Sequence, residues 1–209
     1  MSSYNLLANF GHLLLITNCI LFFKNYRSYS TAIKIFSFYL ATILIIQLTS
    51  KYLRSYKIPN LYLSHYYFIG QFLFLSFFFK QLLKHAFHKK TITFVLFTVL
   101  SMLAIYYSLY PSAYYSYSIF EIVITSVPLM FYSLLFFIQK IERENNKFNY
   151  IVAGFFLYIL CSTLLFTAGN IKAEIKRIVW YANVSLYIVY QFLILTEWYT
   201  HFRKNESPS

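Results

Sequence analysis

Seven apolar runs, each close to membrane length, follow one another at 5–23, 33–50, 61–83, 91–110, 118–138, 150–168 and 179–199. A helix needs about 20 mostly apolar residues to cross the hydrocarbon of a bilayer. Backbone polar groups inside lipid can be satisfied only within a helix or a closed barrel. Runs of this length therefore predict an all-α polytopic fold, a single seven-helix transmembrane domain over 1–209. Turn formers at 59–60, 111–112 and 169–170 separate the runs. The N-terminal stretch lacks a basic n-region and a small-residue cleavage site, so it reads as a retained first helix.

Composition agrees. Charged residues make up 11% of the chain against about 25% in a soluble domain. The 24 Phe and 22 Tyr are too many to hide in the core of a 209-residue soluble fold. The net charge of +12 would fit nucleic acid, but the basic residues cluster between the apolar runs, so no nucleic-acid partner is expected and the lipid bilayer is the expected surrounding.

The basic residues also orient the chain. Lys24, Arg27, Lys34, Lys80, Lys84, Lys89, Lys90, Lys140, Arg143, Lys147, Arg203 and Lys204 fall on one side. Lys51, Arg54, Lys57, Lys172, Lys176 and Arg177 fall on the other. The positive-inside rule then places the N-terminus outside and the C-terminus in the cytoplasm. A tyrosine-rich rim, YYSLYPSAYYSYS, is expected at the outer interface, with Trp180 and Trp198 bracketing the last helix.

Polar residues within spans turn toward other helices or water, so their spacing marks the inner faces. Helix 1 carries Asn5, Asn9 and His12. Helix 3 carries Asn60, Ser64, Tyr67 and Gln71, with His65 beside them. Helix 5 carries Glu121, Thr125, Pro128 and Tyr132, and helix 7 carries Asn183, Tyr187 and Gln191. With the N-terminus outside, Asn9, His12, Gln47, His65, Gln71, Glu121 and Asn183 become candidates to line a polar cavity open to the outside. Glu121 and His12 lead the set, because an ionisable group in a span is a functional hypothesis by default. Hydrogen bonding between helices is the competing account of such stripes. Glu121 is close enough to its helix end to snorkel, and Glu197, beside Trp198, reads as an interfacial residue.

Catalytic signatures are missing. Asp does not occur, which excludes aspartyl proteases and aspartate-dependent lipid enzymes. There is no HExxH, GxSxG or P-loop, and the last run has no Lys for a retinal Schiff base. His85 and His88 read as part of a solvated basic loop, and Cys19 and Cys161 as small packing residues. No enzyme activity, metal or cofactor is expected. A small-solute transporter is the alternative function, although no internal repeat is visible.

Three stretches carry a resemblance: NLYLSHYYFIGQFLFLSFFFKQLLK, KIERENNKFNYIVAGFFLYILCSTLLFTAGN and VWYANVSLYIVYQFLILTEWYTHFRKN. Together they resemble seven-helix membrane regions of Gram-negative bacteria with AT-rich genomes, which occur alone or as the input end of sensor histidine kinases. The resemblance implies an acidic residue within helices 2 and 3, where this chain has Gln47 and Gln71. It also implies a membrane-embedded sensor or signalling accessory protein, with a histidine kinase or another cytoplasmic signalling protein as partner.

Overall fold

A computed structural model describes residues 3–141, 147–169 and 173–203. Arg143, Asn170, Lys172 and Lys204 lie outside the described residues. Among the described residues there are seven α-helices and no strand: α1 Ser3–Lys24, α2 Thr31–Ser55, α3 Leu63–Leu82, α4 Ala86–Leu109, α5 Ile119–Ile141, α6 Asn149–Gly169 and α7 Ala173–Glu197. Two 3-10 turns, Tyr26–Ser28 and Pro111–Tyr115, and a π turn, Trp198–Phe202, complete them.

Five of these helices are long and apolar enough to cross a membrane: Tyr4–Lys24, Thr31–Ser55, Ala86–Leu109, Ile119–Ile141 and Ile178–Phe202. The sequence reading expected seven. α3 falls short because His65, Gln71 and adjacent tyrosines lower its mean hydropathy; α6 is apolar throughout its described part, Asn149–Leu165.

Hydropathy locates lipid-compatible stretches, not helix ends, and several boundaries shift accordingly. α4 begins at Ala86 rather than 91, so the expected basic loop shrinks to 83–85. His88 is a half-buried member of α4's first turn, its Nδ1 3.0 Å from Gln139 Nε2. α2 runs on to Ser55 and closes in a Schellman motif, with Lys57 in the left-handed region (φ 58°) and the Ile58 N–H donating to the Leu53 carbonyl. Asn60 precedes α3 and leaves the expected stripe. Its Nδ2 donates to Ser50 O and Oγ, both at 2.8 Å.

The chain divides into two compact units. The first, residues 27–139, holds α2, α3, α4 and nearly all of α5. α3 runs antiparallel to α2, from the Asn60–Ser50 bonds through Gly70 against Thr42 to the Phe36–Phe78 ring pair, 5.3 Å between centroids. Phe36, Phe72, Phe78 and Phe79 are fully buried among Leu40, Ile43 and Leu75. In lipid these rings gain little from leaving water, so dense dispersion contact is what favours their packing. Tyr132 of α5 packs on Phe79 of α3, while α4 exposes Phe94, Phe97, Met102, Ile105 and Leu109 along one face.

The second unit, residues 1–26 and 140–209, holds α1, α6 and α7. α7 runs parallel to α1: Tyr4 meets Tyr181, Gly11 meets Tyr187, Asn18 meets Gln191 and Phe22 meets Phe202. It runs antiparallel to α6, where Tyr150 meets His201 and Tyr158 stacks on Tyr190. Gly154 lets α6 and α7 approach closely. A Cβ there would lie 2.9 Å from Leu193 Cδ1 and 3.0 Å from Leu193 Cβ, and the latter cannot rotate away. At Gly11 the nearest atom is a Tyr187 ring carbon at 3.2 Å. Gly154→Ala is therefore expected to cost about 1–3 kcal/mol, as overpacking does, and Gly11→Ala less. Melting of the two variants in detergent checks the order, and equal midpoints would contradict it.

Candidate functional site

Ser118 begins the local logic. It caps α5: its Oγ accepts the Glu121 N–H at 3.2 Å, and its carbonyl accepts the Ile122 N–H. The spacing Ser-x-x-Glu is that of a capping box, in which the Glu side chain would return to the Ser N–H. Here the Glu121 carboxylate turns away, to His65 in the first turn of α3. Thr125 Oγ1 donates to the Glu121 carbonyl at 2.7 Å, which holds the same helix turn.

His65 Nδ1 and Glu121 Oε2 are 2.5 Å apart, and both side chains are buried, at 3% and 1% exposure. Tyr107, near the end of α4, donates from Oη to Glu121 Oε2 at 3.0 Å, and its oxygen is 2.8 Å from His65 Nδ1. The other imidazole nitrogen, Nε2, is 3.0 Å from the Tyr114 carbonyl oxygen in the Pro111–Tyr115 turn. A carbonyl only accepts, so Nε2 carries a hydrogen.

That assignment fixes the proton count of the pair. Lone pairs on Nδ1 and Oε2 would repel at 2.5 Å, so one proton lies between them. The pair is either imidazolium with carboxylate or neutral imidazole with carboxylic acid, and its net charge is zero in both. A buried ionisable pair in a low-dielectric setting is tolerable in that form. Glu121 Oε1 is buried and has no hydrogen-bond partner.

Aromatic rings wall the pair. Tyr114 stacks on His65 at 5.3 Å between centroids, and Tyr107 meets the same imidazole edge-on at 5.2 Å. Tyr114 Oη donates to Tyr66 Oη at 2.9 Å. This donated bond pushes the Tyr114 phenol up to about 12, so it keeps its proton across the physiological range.

Of the seven expected site residues, the structure brings two together, His65 and Glu121. Glu121 does not snorkel; it is buried against α3 and α4. Gln71 is buried further along α3, its Oε1 without a hydrogen-bond partner, and Gln47 is half-buried on α2. Asn9, His12 and Asn183 belong to the other unit, half-buried on α1 and α7, whereas Asn5 of the same stripe is exposed. The stripes are partly helix glue. Asn18 Nδ2 donates to Gln191 O and Oε1, both at 2.9 Å, and Thr17, Ser37, Thr125 and Ser133 hydroxyls bond back to their own helices.

Sequence reasoning missed Tyr107, Tyr114 and the role of Glu197. Glu197 is fully buried within the protein, and its two oxygens accept the N–H groups of Phe148 at 2.5 Å and Tyr150 at 2.9 Å, so it caps α6. Trp198 beside it is also buried. Among the described residues no group of three or more His, Cys, Asp or Glu side chains could hold a metal ion. No family model matches the chain, and neither a curated protein nor a solved structure matches it.

Proposed function

We propose that the chain is a seven-span sensor or signalling accessory protein of the bacterial inner membrane, with the His65–Glu121–Tyr107 cluster as its input element. The observation that carries this reading is the buried carboxylate of Glu121, clasped through one oxygen and unpartnered at the other. A carboxylate with a free acceptor fits a small solute that is cationic or donates hydrogen bonds. Its arrival at Oε1 would compete with the shared proton and release Nδ1. The Nε2–H bond to Tyr114 would carry that change into the α4–α5 turn. Signalling needs two arrangements that ligand and partner bias differently.

Seven spans are supported by direction. α3 lies antiparallel along the length of α2, and α6 along α7, so each crosses the bilayer beside a helix long and apolar enough to span it. The parallel run of α1 and α7 agrees with both entering from one side. On the positive-inside rule the cluster sits at the outer end of its unit, and the C-terminus reaches a cytoplasmic kinase or other signalling partner.

In intact cells a membrane-impermeant maleimide is expected to label Ser2→Cys and to spare Ser209→Cys. The opposite pattern would overturn the orientation. For function, candidate amines and polyols are screened by thermal stabilisation of the purified protein, and hits are tested for flux in proteoliposomes. Stabilisation without counterflow, lost in Glu121→Gln, is the expected result. Saturable flux would replace the sensor with a small-solute transporter.

A further inference from the structure

At the opposite end of the same helices a second feature has no part in this input. Lys80 near the end of α3 and Lys89, Lys90, Thr93, Phe94 and Phe97 of α4 line one open groove of about 430 Å³. Lys89, Thr93 and Phe97 recur at four-residue spacing, as do Lys90 and Phe94, so cations and rings lie on one face of α4. The lysines occupy the end of that face and the rings follow toward the middle of the helix. Phe94 and Phe97 are 72% and 67% exposed, as suits contact with acyl chains.

Within residues 27–139 the charge is uncompensated: they contain nine Lys and Arg but a single acid, Glu121. That acid is held by His65, fifteen residues before Lys80 on α3 and so about 22 Å away at 1.5 Å per residue. Among the described residues no carboxylate pairs with Lys80, Lys89 or Lys90. Thr93 donates its hydroxyl hydrogen to the Lys89 carbonyl at 2.9 Å, so the lysines are the groove's donors.

We infer that this groove binds an anionic phospholipid. The headgroup phosphate lies among the three ammonium groups, and one acyl chain lies along Phe94 and Phe97. Lysine stems packed along the groove and ammonium heads at the headgroup level are what long cationic side chains do at a bilayer surface. A free anion would use the lysines but has no use for the rings, and a zwitterionic lipid would use the rings but gain little from the lysines. Only an anionic lipid uses both. The site does not rest on the sensor reading, and Glu121→Gln should bind lipid as the wild type does.

The test compares purified wild-type protein in detergent with added phosphatidylglycerol, phosphatidylcholine of the same acyl chains, or inorganic phosphate, read by native mass spectrometry and by melting. Phosphatidylglycerol is expected to be retained and to raise the midpoint more than either of the others. A lysine near an anionic surface is worth about fivefold in affinity, so Lys80→Gln, Lys89→Gln and Lys90→Gln together should weaken phosphatidylglycerol roughly a hundredfold. The three Arg substitutions should restore it. Phe94→Ala with Phe97→Ala should weaken the lipid while leaving the lysines in place. Equal retention of the two lipids, equal stabilisation by inorganic phosphate, or a Gln triple that keeps its lipid preference would each overturn the proposal. If the Gln triple does not fold, the wild-type comparison decides.

Discussion

His65→Ala is expected to destabilise the protein by about 3–5 kcal/mol, the loss seen when one partner of a buried ion pair is removed. It leaves the Glu121 carboxyl in a closed site with Tyr107 as its remaining donor, and strips the Tyr114 carbonyl of the Nε2–H. Glu121→Ala should cost less, about 1–3 kcal/mol. Tyr107 Oη already lies 2.8 Å from Nδ1 and can turn its hydrogen onto a neutral His65 that still donates to Tyr114. The double variant should cost less than the sum, because the two groups share one proton. Glu121→Gln should stay within about 1.5 kcal/mol, since its amide donates to Nδ1 of the neutral imidazole. Reversible unfolding in mixed micelles measures all four. An ordinary interhelical hydrogen bond in a membrane averages about 0.6 kcal/mol, so a His65→Ala loss of that size would reduce the pair to helix glue. A Glu121→Ala loss exceeding that of His65→Ala would refute the bonding pattern itself.

The second large effect is placed at Glu197. Its carboxylate takes the Phe148 and Tyr150 N–H groups at the start of α6, and His201 Nδ1 lies 3.0 Å from Oε1. Phe148, the residue before the helix, sits at φ 71°, a left-handed conformation that costs about 1–2 kcal/mol without compensation. Glu197→Ala removes the cap and the acceptor that stabilises this turn. A capping loss of about 1–2 kcal/mol and a second charge-assisted bond of about 1.5–3 kcal/mol make a total near 3 kcal/mol expected. Glu197→Gln recovers about half of it, because one amide oxygen accepts where two carboxylate oxygens did. Hydrogen exchange reports the effect locally: amides in the first turn of α6 should exchange at least tenfold faster in Glu197→Ala. Unchanged exchange there would show that the carboxylate does not cap the helix.

Much of the scaffold was legible from the chain alone, and the reasons are physical. Apolar runs of bilayer length leave the backbone one way to bond, so the seven helices and their order follow from hydropathy. Their ends did not, because Ala86 to Lys90 continue a helix that hydropathy stops counting. Glu121 and His65 were visible as ionisable groups in apolar surroundings. Tyr107 and Tyr114 were not, since 22 tyrosines give no reason to choose two of them, and they reach His65 from 42 and 49 residues away. Ser118-x-x-Glu121 was a usable signal that α5 starts there. Glu197 hid for the opposite reason: a carboxylate next to Trp198 looks interfacial until residue 148 is known to lie beside it.

The pairing of the first helix with the last has a consequence for biogenesis. Asn18 is bonded to Gln191, which the ribosome adds 173 residues later. At about 5–20 residues per second the first helix waits roughly ten to thirty seconds for its partner. During that interval a polar amide bound for a fully buried position has no native acceptor. Until then α1 would depend on the translocon or a membrane chaperone to shelter that amide.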